Sequence, residues 1–316
     1  MAYIKEKTIA GRKYFYVTKS VRLPDGKVKT LQKLVKDRRV SPQAFAGWFE
    51  EEEKKAFCGW AAKTYPADSV FSAEQIRAAE EMRFGYRKIL ARLSKPQLKD
   101  LFDRFTVNFT YESNAIEGNS LTLKDVAIVL FENASIKGKD LREIYETRNS
   151  REVVDLILRR KLKATEADAI RVHKTLVRDM DIPTGYKTVP NYLLGRDVET
   201  TPPEKVAGAM GKLFADYEAN EGKLHPVQLA ARFHGAFEKI HPFEDGNGRV
   251  GRFLVNAMLV NNGYPPLIIR KSQRTAYMKC LNDFDRGYAR NLERFLLEKY
   301  KDTYRKFFEV YAKYLK

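Results

Sequence analysis

The sequence predicts a mainly α-helical protein that begins with a small antiparallel β-sheet, and two patterns carry this prediction. Over residues 3–36, polar and apolar residues alternate and β-branched and aromatic types are frequent, which is typical of strands that bury one face. From residue 41 onward, apolar residues recur every three or four positions, and helix-capping signals separate the segments. The chain is therefore expected to continue as a series of packed helices.

The N-terminal strands are predicted at residues 13–17 and 27–31, with a turn signal, Leu-Pro-Asp-Gly, at residues 23–26 between them. We expect two or three strands. Because so small a sheet is only marginally stable alone, it should pack on the helices that follow.

The first helix is predicted from Ser41, an N-cap residue followed by proline, to about residue 60. A capping-box pattern at residues 72–75 opens a second helix, and another runs from about residue 96 towards 111. The best linker is residues 65–69. We therefore predict two domains: residues 1–66, a basic β-rich module with a helix, and residues 67–316, a helical domain.

The composition, with 44% hydrophobic and 31% charged residues, is typical of a globular protein. No apolar run approaches the roughly 18 residues that a membrane helix needs, so no membrane partner is expected. The first residues lack the apolar core of a signal peptide, and two cysteines give neither a disulfide framework nor metal-ligand spacing. We expect a cytoplasmic protein.

The net charge of +17 is concentrated at the N-terminus. Residues 1–40 contain twelve Lys and Arg against three acidic residues, a net charge of +9. Such a concentration can attract nucleic acid. A solvated basic surface explains it equally well, and the sequence leaves both interpretations open.

The most informative stretch is residues 241–252, which reads HPFEDGNGRVGR. It contains an imidazole that can accept a proton near neutral pH (His241) and a carboxylate suited to Mg²⁺ (Asp245). The glycines beside Asn247 let backbone N–H groups approach an anion, and the helical pattern that follows places a helix N-terminus there. Arg249 and Arg252 lie three apart on that helix and can both hold phosphate. These residues predict a nucleotide site.

Residues 246–251 also fit the dinucleotide fingerprint G-x-G-x-x-G. That fingerprint requires a preceding strand within a βαβ unit. The residues before it have helical spacing instead, so we reject this interpretation.

The same twelve residues match the signature of the Fic family, HxFx(D/E)GNGRxxR, at every fixed position. The resemblance implies a Fic-type helical bundle with a short β-hairpin flap, and an enzyme that transfers AMP from ATP, with Mg²⁺, to a Ser, Thr or Tyr hydroxyl of a protein or of itself. It makes His241 the general base and Asp245 the metal ligand. It assigns the nucleotide to five residues: Asn247, Gly248, Arg249, Arg252 and Tyr277. Met278 and Asp285 depart from the family pattern, which leaves the base preference open.

A second motif lies upstream, at residues 113–118. Ser113, Glu117 and Gly118 match the inhibitory motif (S/T)xxxE(G/N) and resemble the subclass whose inhibitory helix precedes the Fic core. The residues alone would make Glu117 an ordinary carboxylate near a helix end. With the resemblance, Glu117 is expected to pair with Arg252 and to repel the nucleotide's charge.

Residues 181–195 are rich in proline and glycine around a β-prone centre, which predicts a short hairpin. By its family position this hairpin resembles the flap that aligns a target segment through main-chain pairing, with four flap residues: Lys187, Thr188, Val189 and Asn191. Lys187 stands where the family often has Arg, and Pro190 lacks a backbone donor. An ordinary surface hairpin is the alternative.

Three functions remain open from the sequence. The first is an AMP transferase inhibited by Glu117, and the second is a de-AMPylase in which Glu117 orients a water molecule. The third is a nucleotide-responsive regulator that binds nucleic acid through residues 1–40. The oligomeric state, including a homo-oligomer, is equally open.

Overall fold

The computed structural model describes residues 1–132, 134–191 and 199–314. The chain forms two compact units, an N-terminal unit (Met1–Phe84) and a C-terminal unit (Gly85–Lys316). The two units divide within a helix, α2 (Ala73–Arg92), whereas the boundary expected at residue 66 lies in the loop before this helix.

The N-terminal unit contains three antiparallel strands in the order β1 (Tyr3–Ile9), β2 (Arg12–Arg22) and β3 (Val28–Val35). The predicted turn joins β2 to β3, where the amide of Gly26 donates to the carbonyl of Leu23 (3.0 Å). Gly26 has a φ of +82°, a conformation that glycine adopts without steric cost. The predicted small antiparallel sheet is confirmed.

One face of this sheet packs on α1 (Ala46–Thr64), which follows a 3₁₀ turn (Pro42–Phe45). Val17, Val21 and Leu31 of the sheet form a buried apolar cluster with Phe49 and Phe57 of α1. Burial against the following helix is what stabilises the sheet, as the sequence predicts.

The remaining described elements are helical, which confirms the mainly α fold. They are α3 (Lys95–Ile116), α4 (Leu123–Phe131), α5 (Leu141–Leu158), α6 (Glu166–Leu176), α7 (Pro203–Asn220), α8 (Pro226–Ile240), α9 (Asn247–Asn261), a 3₁₀ turn (Lys271–Gln273), α10 (Arg274–Asp285), α11 (Ala289–Thr303), a π-helical turn (Tyr304–Phe308) and α12 (Glu309–Tyr314). Among the described residues, no helix combines the length and the apolar character that crossing a membrane requires.

Helix α9 lies at the centre of the C-terminal unit and contacts α3, α5, α6 and α8. Its apolar residues, including Val250, Phe253 and Leu254, are fully buried. Helix α8 ends at His241, which has the left-handed conformation (φ +52°), and α9 begins after Gly246 (φ +80°). A tight loop of residues 241–246 therefore joins two buried helices.

Helix α3 extends further than the sequence indicated. A capping box at Ser94 starts it, and it continues through residue 116, so Ser113 lies in its last turn. The inhibitory motif therefore forms the end of a long helix rather than a short helix of its own. Gly118, at a φ of +101°, follows the end of α3, and a capping box at Thr122 starts α4.

The hairpin expected at residues 181–195 is described only as far as residue 191. Residues 181–191 contain turns and extended backbone without strand pairing, and residues 192–195 lie outside the described residues.

Candidate functional site

Asn247 sets the shape of the loop between α8 and α9. Its Oδ1 accepts a hydrogen bond from the amide of Phe243 (2.8 Å), and its Nδ2 donates to the carbonyl of the same residue (2.7 Å). The side chain is almost fully buried. Only an amide side chain offers a donor and an acceptor in this arrangement, which explains why the loop uses asparagine here.

Phe243 and His173 anchor the loop to α6. The two rings stack with a centroid distance of 3.9 Å and an angle of 2°, and both are fully buried. Nε2 of His173 donates to the carbonyl of Asp245 (3.1 Å). Burial lowers the pKa of His173 to about 4, so the ring is neutral near pH 7. His173 is thus a packing residue.

His241 occupies the end of α8 with 16% of its side chain exposed. Its Nδ1 lies 3.3 Å from the carbonyl oxygen of Glu238 and 3.9 Å from that residue's Oε2. A ring with its hydrogen on Nδ1 donates it to this carbonyl and carries its lone pair on Nε2. The sequence did not single out Glu238, although it lies one helical turn before His241.

Asp245 has a partly exposed carboxylate, which accepts a hydrogen bond from Nη2 of Arg142. The side chain of Arg142 is half exposed, and it pairs with Asp245. No group of three or more potential metal-ligating side chains occurs in the described chain. Mg²⁺ often takes only one or two protein carboxylates, with substrate phosphates and water as its other ligands, and a single accessible carboxylate fits that chemistry.

The guanidinium of Arg249, a predicted phosphate ligand, is 2% exposed. Its Nη1 lies 3.0 Å from Oε1 of Glu146 in α5, and its Nη2 lies 3.7 Å from Oδ1 of Asp245. Glu146 also accepts a hydrogen bond from Nδ2 of Asn119 (2.9 Å). In this conformation the side chain of Arg249 therefore joins α9 to α5, and its charge is matched by two carboxylates.

Arg252 meets the end of α3. Its Nη2 lies 2.7 Å from Oε1 of Glu117, and Ser113 accepts two further hydrogen bonds, from Nε to Oγ (3.0 Å) and from Nη2 to the carbonyl (2.9 Å). Arg252 is 4% exposed and Glu117 is 34% exposed. Burial lowers the pKa of Arg252, but the charge of Glu117, its hydrogen bond to the guanidinium and the charge interactions with Tyr277 and Glu238 together outweigh burial and raise it. The structure thus brings together residues separated by 135 or more positions.

The carboxylate of Glu117 lies over the first turn of α9. A Cβ atom added to Gly248 would overlap Oε1 of Glu117 and lie 2.9 Å from Nη1 of Arg252. In the described part of the chain, that Nη1 is buried and has no hydrogen-bond partner. The N-terminus of a helix and a guanidinium group both attract anions, and Glu117 places its carboxylate beside both of them.

Tyr277 was expected near the adenine, but the structure buries it. Only 1% of its surface is exposed. Its hydroxyl lies 2.5 Å from Nε2 of His234, and the two rings are nearly parallel. Burial and the charge of Glu238 raise the pKa of this tyrosine. A ring enclosed in the core does not offer a face to a base.

The predicted flap segment docks on the loop. The amide of Lys187 donates to the carbonyl of Pro242 (2.8 Å), and Nδ2 of Asn191 donates to the carbonyl of Phe243 (2.8 Å). Thr188 donates through its hydroxyl to Oε1 of Glu244 (3.1 Å), so Glu244 takes part in holding this segment.

Lys187 is 2% exposed, and burial lowers its pKa to about 8. Its amine donates to Oδ1 of Asn191 (2.7 Å) and Oγ1 of Thr200 (2.9 Å). Val189, by contrast, is 55% exposed. The segment therefore has a buried polar anchor and an exposed tip.

Comparison with protein families matches residues 163–259 to the Fic/DOC family. The chain carries a Fic domain. The protein adenylyltransferase Fic of Drosophila willistoni is 33% identical over 194 residues, which is 60% of this chain and 39% of that protein. The protein of the same name from Nematostella vectensis is 31% identical over 192 residues, 59% of this chain and 45% of that protein. The chain thus spans less than half of the length of these curated relatives.

Solved structures agree with the family match. A Fic domain containing signaling protein from Bacteroides thetaiotaomicron aligns with a TM-score of 0.67 and 28% identity, covering 74% of this chain and 96% of that chain. Residues 134–508 of Fic-1 from C. elegans align with a TM-score of 0.61 and 20% identity, covering 85% of each chain; this likeness shows the fold alone.

The matched range of the Fic domain includes the loop, its α6 anchor and the described flap residues. Glu117, Asn119 and Glu146 lie before it. Glu146, which pairs with Arg249, and Glu117, which pairs with Arg252, therefore come from outside the matched range.

Proposed function

We propose that this protein transfers AMP from ATP to a hydroxyl side chain of a protein, at the loop of residues 241–252. The observation that carries the proposal is the convergence of His241, the N-terminus of α9 and Arg252 within one short stretch of chain. The relatives named adenylyltransferase support it.

In the proposed reaction, the oxygen of a Ser, Thr or Tyr hydroxyl attacks the α-phosphorus of ATP. A new phosphorus–oxygen bond forms to the target, the bond between the α-phosphorus and the bridging oxygen breaks, and pyrophosphate leaves. Nε2 of His241 accepts the proton of the attacking hydroxyl. Backbone amides at Asn247 and Gly248 and the guanidinium of Arg252 stabilise charge on the phosphates.

Asp245 would hold Mg²⁺, which would neutralise phosphate charge. For this, the carboxylate must exchange Arg142 for the ion, and both side chains are exposed enough to separate. Arg249 supports the loop from inside in the described conformation.

We propose further that Glu117 inhibits the transfer. Its carboxylate neutralises Arg252 and covers Gly248, so a triphosphate meets negative charge where it needs positive charge. Transfer begins when the end of α3 moves away from the first turn of α9.

The exposed tip of the flap segment, at Thr188 and Val189, supports a protein target, because a peptide can lie there beside His241. The target can be another protein or a second copy of this chain.

Intact-mass spectrometry after incubation with ATP and Mg²⁺ tests these proposals. Glu117→Gly should gain adenylyl groups, wild type should gain fewer, and a variant combining Glu117→Gly with His241→Ala should gain none. Glu132→Gly is the matched control, because Glu132 follows the end of α4 as Glu117 follows the end of α3. No adenylyl group on any variant or on added candidate targets would overturn transfer. Equal labelling of the Glu117 and Glu132 variants would overturn inhibition.

The same variants also test the reverse reaction, the removal of AMP from a modified protein. If wild type releases AMP from a pre-AMPylated protein and Glu117→Gly does not, Glu117 takes part in AMP removal and its purely inhibitory role is wrong. Retained release by Glu117→Gly would exclude a water-orienting role.

We propose nucleic-acid binding as a second, separate function of the N-terminal unit. The net charge of +9 on residues 1–40 supports it. So does the pairing of Lys13 and Lys19, on the α1 side of the sheet, with carboxylates. The four cations on the opposite face, by contrast, form no ion pair with a carboxylate within the described residues. The full chain should bind nucleic acid in a salt-sensitive manner, and no binding at low salt would remove this function.

A further inference from the structure

The strand register sorts the side chains of the N-terminal sheet onto two faces. Val17 and Val21 of β2 face the apolar cluster with α1. Tyr16, one position away from Val17, faces the other side, and so do the residues opposite it, Lys5 of β1 and Leu34 of β3. We call this second side the open face. It consists of alternate residues of β1 from Tyr3 to Ile9, of β2 from Arg12 to Arg22 and of β3 from Val28 to Leu34; of these, Thr18 is fully buried.

The open face has positive charge without compensation. It contains Lys5, Lys7, Arg12 and Arg22, and its alternating positions include no Asp or Glu. Within the described residues, no carboxylate forms an ion pair with any of these four side chains; Lys7 donates instead to Oε1 of Gln32 (2.8 Å). Uncompensated positive charge on one face attracts a polyanion.

Tyrosines lie among these cations. Tyr14 and Tyr16 are two positions apart on β2, which places them about 7 Å apart along the strand. Tyr3 lies on the neighbouring strand with 48% of its surface exposed. The amine of Lys7 lies 5.0 Å from the centroid of the Tyr16 ring. Phosphate-binding cations and stackable rings thus alternate on one surface.

This combination favours single strands over duplexes. In a duplex the bases stack on one another and offer their faces to no protein ring, whereas the unstacked bases of a single strand can stack on tyrosine. Thr30 and Gln32, on the same face, add hydrogen-bonding groups. Cations alone would bind a duplex or an anionic membrane equally well. The tyrosine rings favour a single strand over both.

We propose that the open face binds single-stranded nucleic acid, with the cations on the phosphates and the tyrosines stacked on bases. This proposal rests on the second function proposed above and names its surface and its ligand. It is independent of AMP transfer.

Fluorescence anisotropy of the full chain tests it, with a labelled oligothymidine and a labelled duplex of equal length. Lys5→Gln/Arg22→Gln removes two charges from the open face, and Lys13→Gln/Lys29→Gln removes two from the α1 side. At 0.1 M salt the open-face pair should weaken single-strand binding about 25-fold and reduce the log–log salt slope by about 1.4, because each phosphate contact contributes about 0.7 to that slope. The control pair should weaken binding much less.

The tyrosines are tested separately by Tyr3→Thr and Tyr14→Thr, which preserve β propensity. Each should weaken single-strand binding at least about fivefold. Circular dichroism verifies that the variants fold, and the charge variants test the face independently of the tyrosines.

The outcomes separate the proposals. No binding of either oligonucleotide overturns both the second function and this inference. Duplex binding as tight as single-strand binding, unaffected by the tyrosine variants, overturns only the single-strand assignment. An equal loss of single-strand affinity in the open-face pair and in the control pair overturns the assignment to the open face. Tighter binding to anionic vesicles than to oligothymidine overturns the ligand class.

Discussion

Neutralising Glu117 should lower stability and at the same time strengthen ATP binding. Removing one partner of a fully buried ion pair costs about 3–5 kcal/mol, whereas an exposed pair contributes about 0–1 kcal/mol. Arg252 is 4% exposed but Glu117 is 34% exposed, and Ser113 retains two hydrogen bonds to the guanidinium. We therefore expect Glu117→Gln to cost about 1–2 kcal/mol, since solvent already screens part of the pair. For a domain of this size, that cost lowers Tm by about 2–8 °C.

Thermal unfolding with and without ATP and Mg²⁺ measures both effects. The stabilisation by ATP should be larger in Glu117→Gln than in wild type, because the ligand then gains Arg252 without competition. Glu132→Gln, at the exposed end of α4, is the control and should change Tm little. If Glu117→Gln leaves both Tm and the ATP-induced shift at their wild-type values, Glu117 does not compete for Arg252.

Three further predictions concern the loop. Asn247→Ala should cost about 1–3 kcal/mol in urea unfolding and abolish AMP transfer in the mass assay, because the buried amide of Phe243 loses its partner while the carbonyl keeps only Asn191. For His173, the pKa of about 4 in the folded chain lies below the unfolded value of about 6.5. The unfolded chain therefore binds the proton first, and stability is lost as pH falls from about 6.5 to 4. Between about pH 6.5 and 4, the free energy of unfolding from urea titrations should fall by up to about 3 kcal/mol less in His173→Gln than in wild type. Arg142→Gln should lower the Mg²⁺ concentration for half-maximal AMP transfer about two- to fivefold, because Asp245 loses a competing cation.

For each of the three variants, one result would contradict the prediction. A stable, active Asn247→Ala variant would show that the loop keeps its shape without the amide. The same acid-induced loss in His173→Gln and wild type would assign it to other groups. An unchanged Mg²⁺ requirement in Arg142→Gln would separate Asp245 from the metal.

The loop could be predicted from sequence because its determinants are local. Asn247 bonds to a residue four positions away, and the left-handed conformations fall at His241 and Gly246 inside the same short stretch. The helices were predictable for a similar reason, since capping residues and apolar spacing are properties of neighbouring positions.

What the sequence missed depends on tertiary packing. The burial of Arg249 against Glu146 is set by how α5 packs on α9, and no local pattern reports it. Tyr277 is enclosed by His234 from α8 for the same reason. Residues alone gave Glu117 no special role; only the motif resemblance linked it to Arg252, 135 positions away.

The central claim is that Glu117 restrains AMP transfer through Arg252. The most direct measurement is the rate of AMP incorporation into wild type, Glu117→Gly, Arg252→Ala and the double variant. We predict that Glu117→Gly raises the rate strongly when Arg252 is present and gives little or no gain when Arg252 is alanine. An equal gain in both backgrounds would contradict the claim, because Glu117 would then act without the arginine that it contacts.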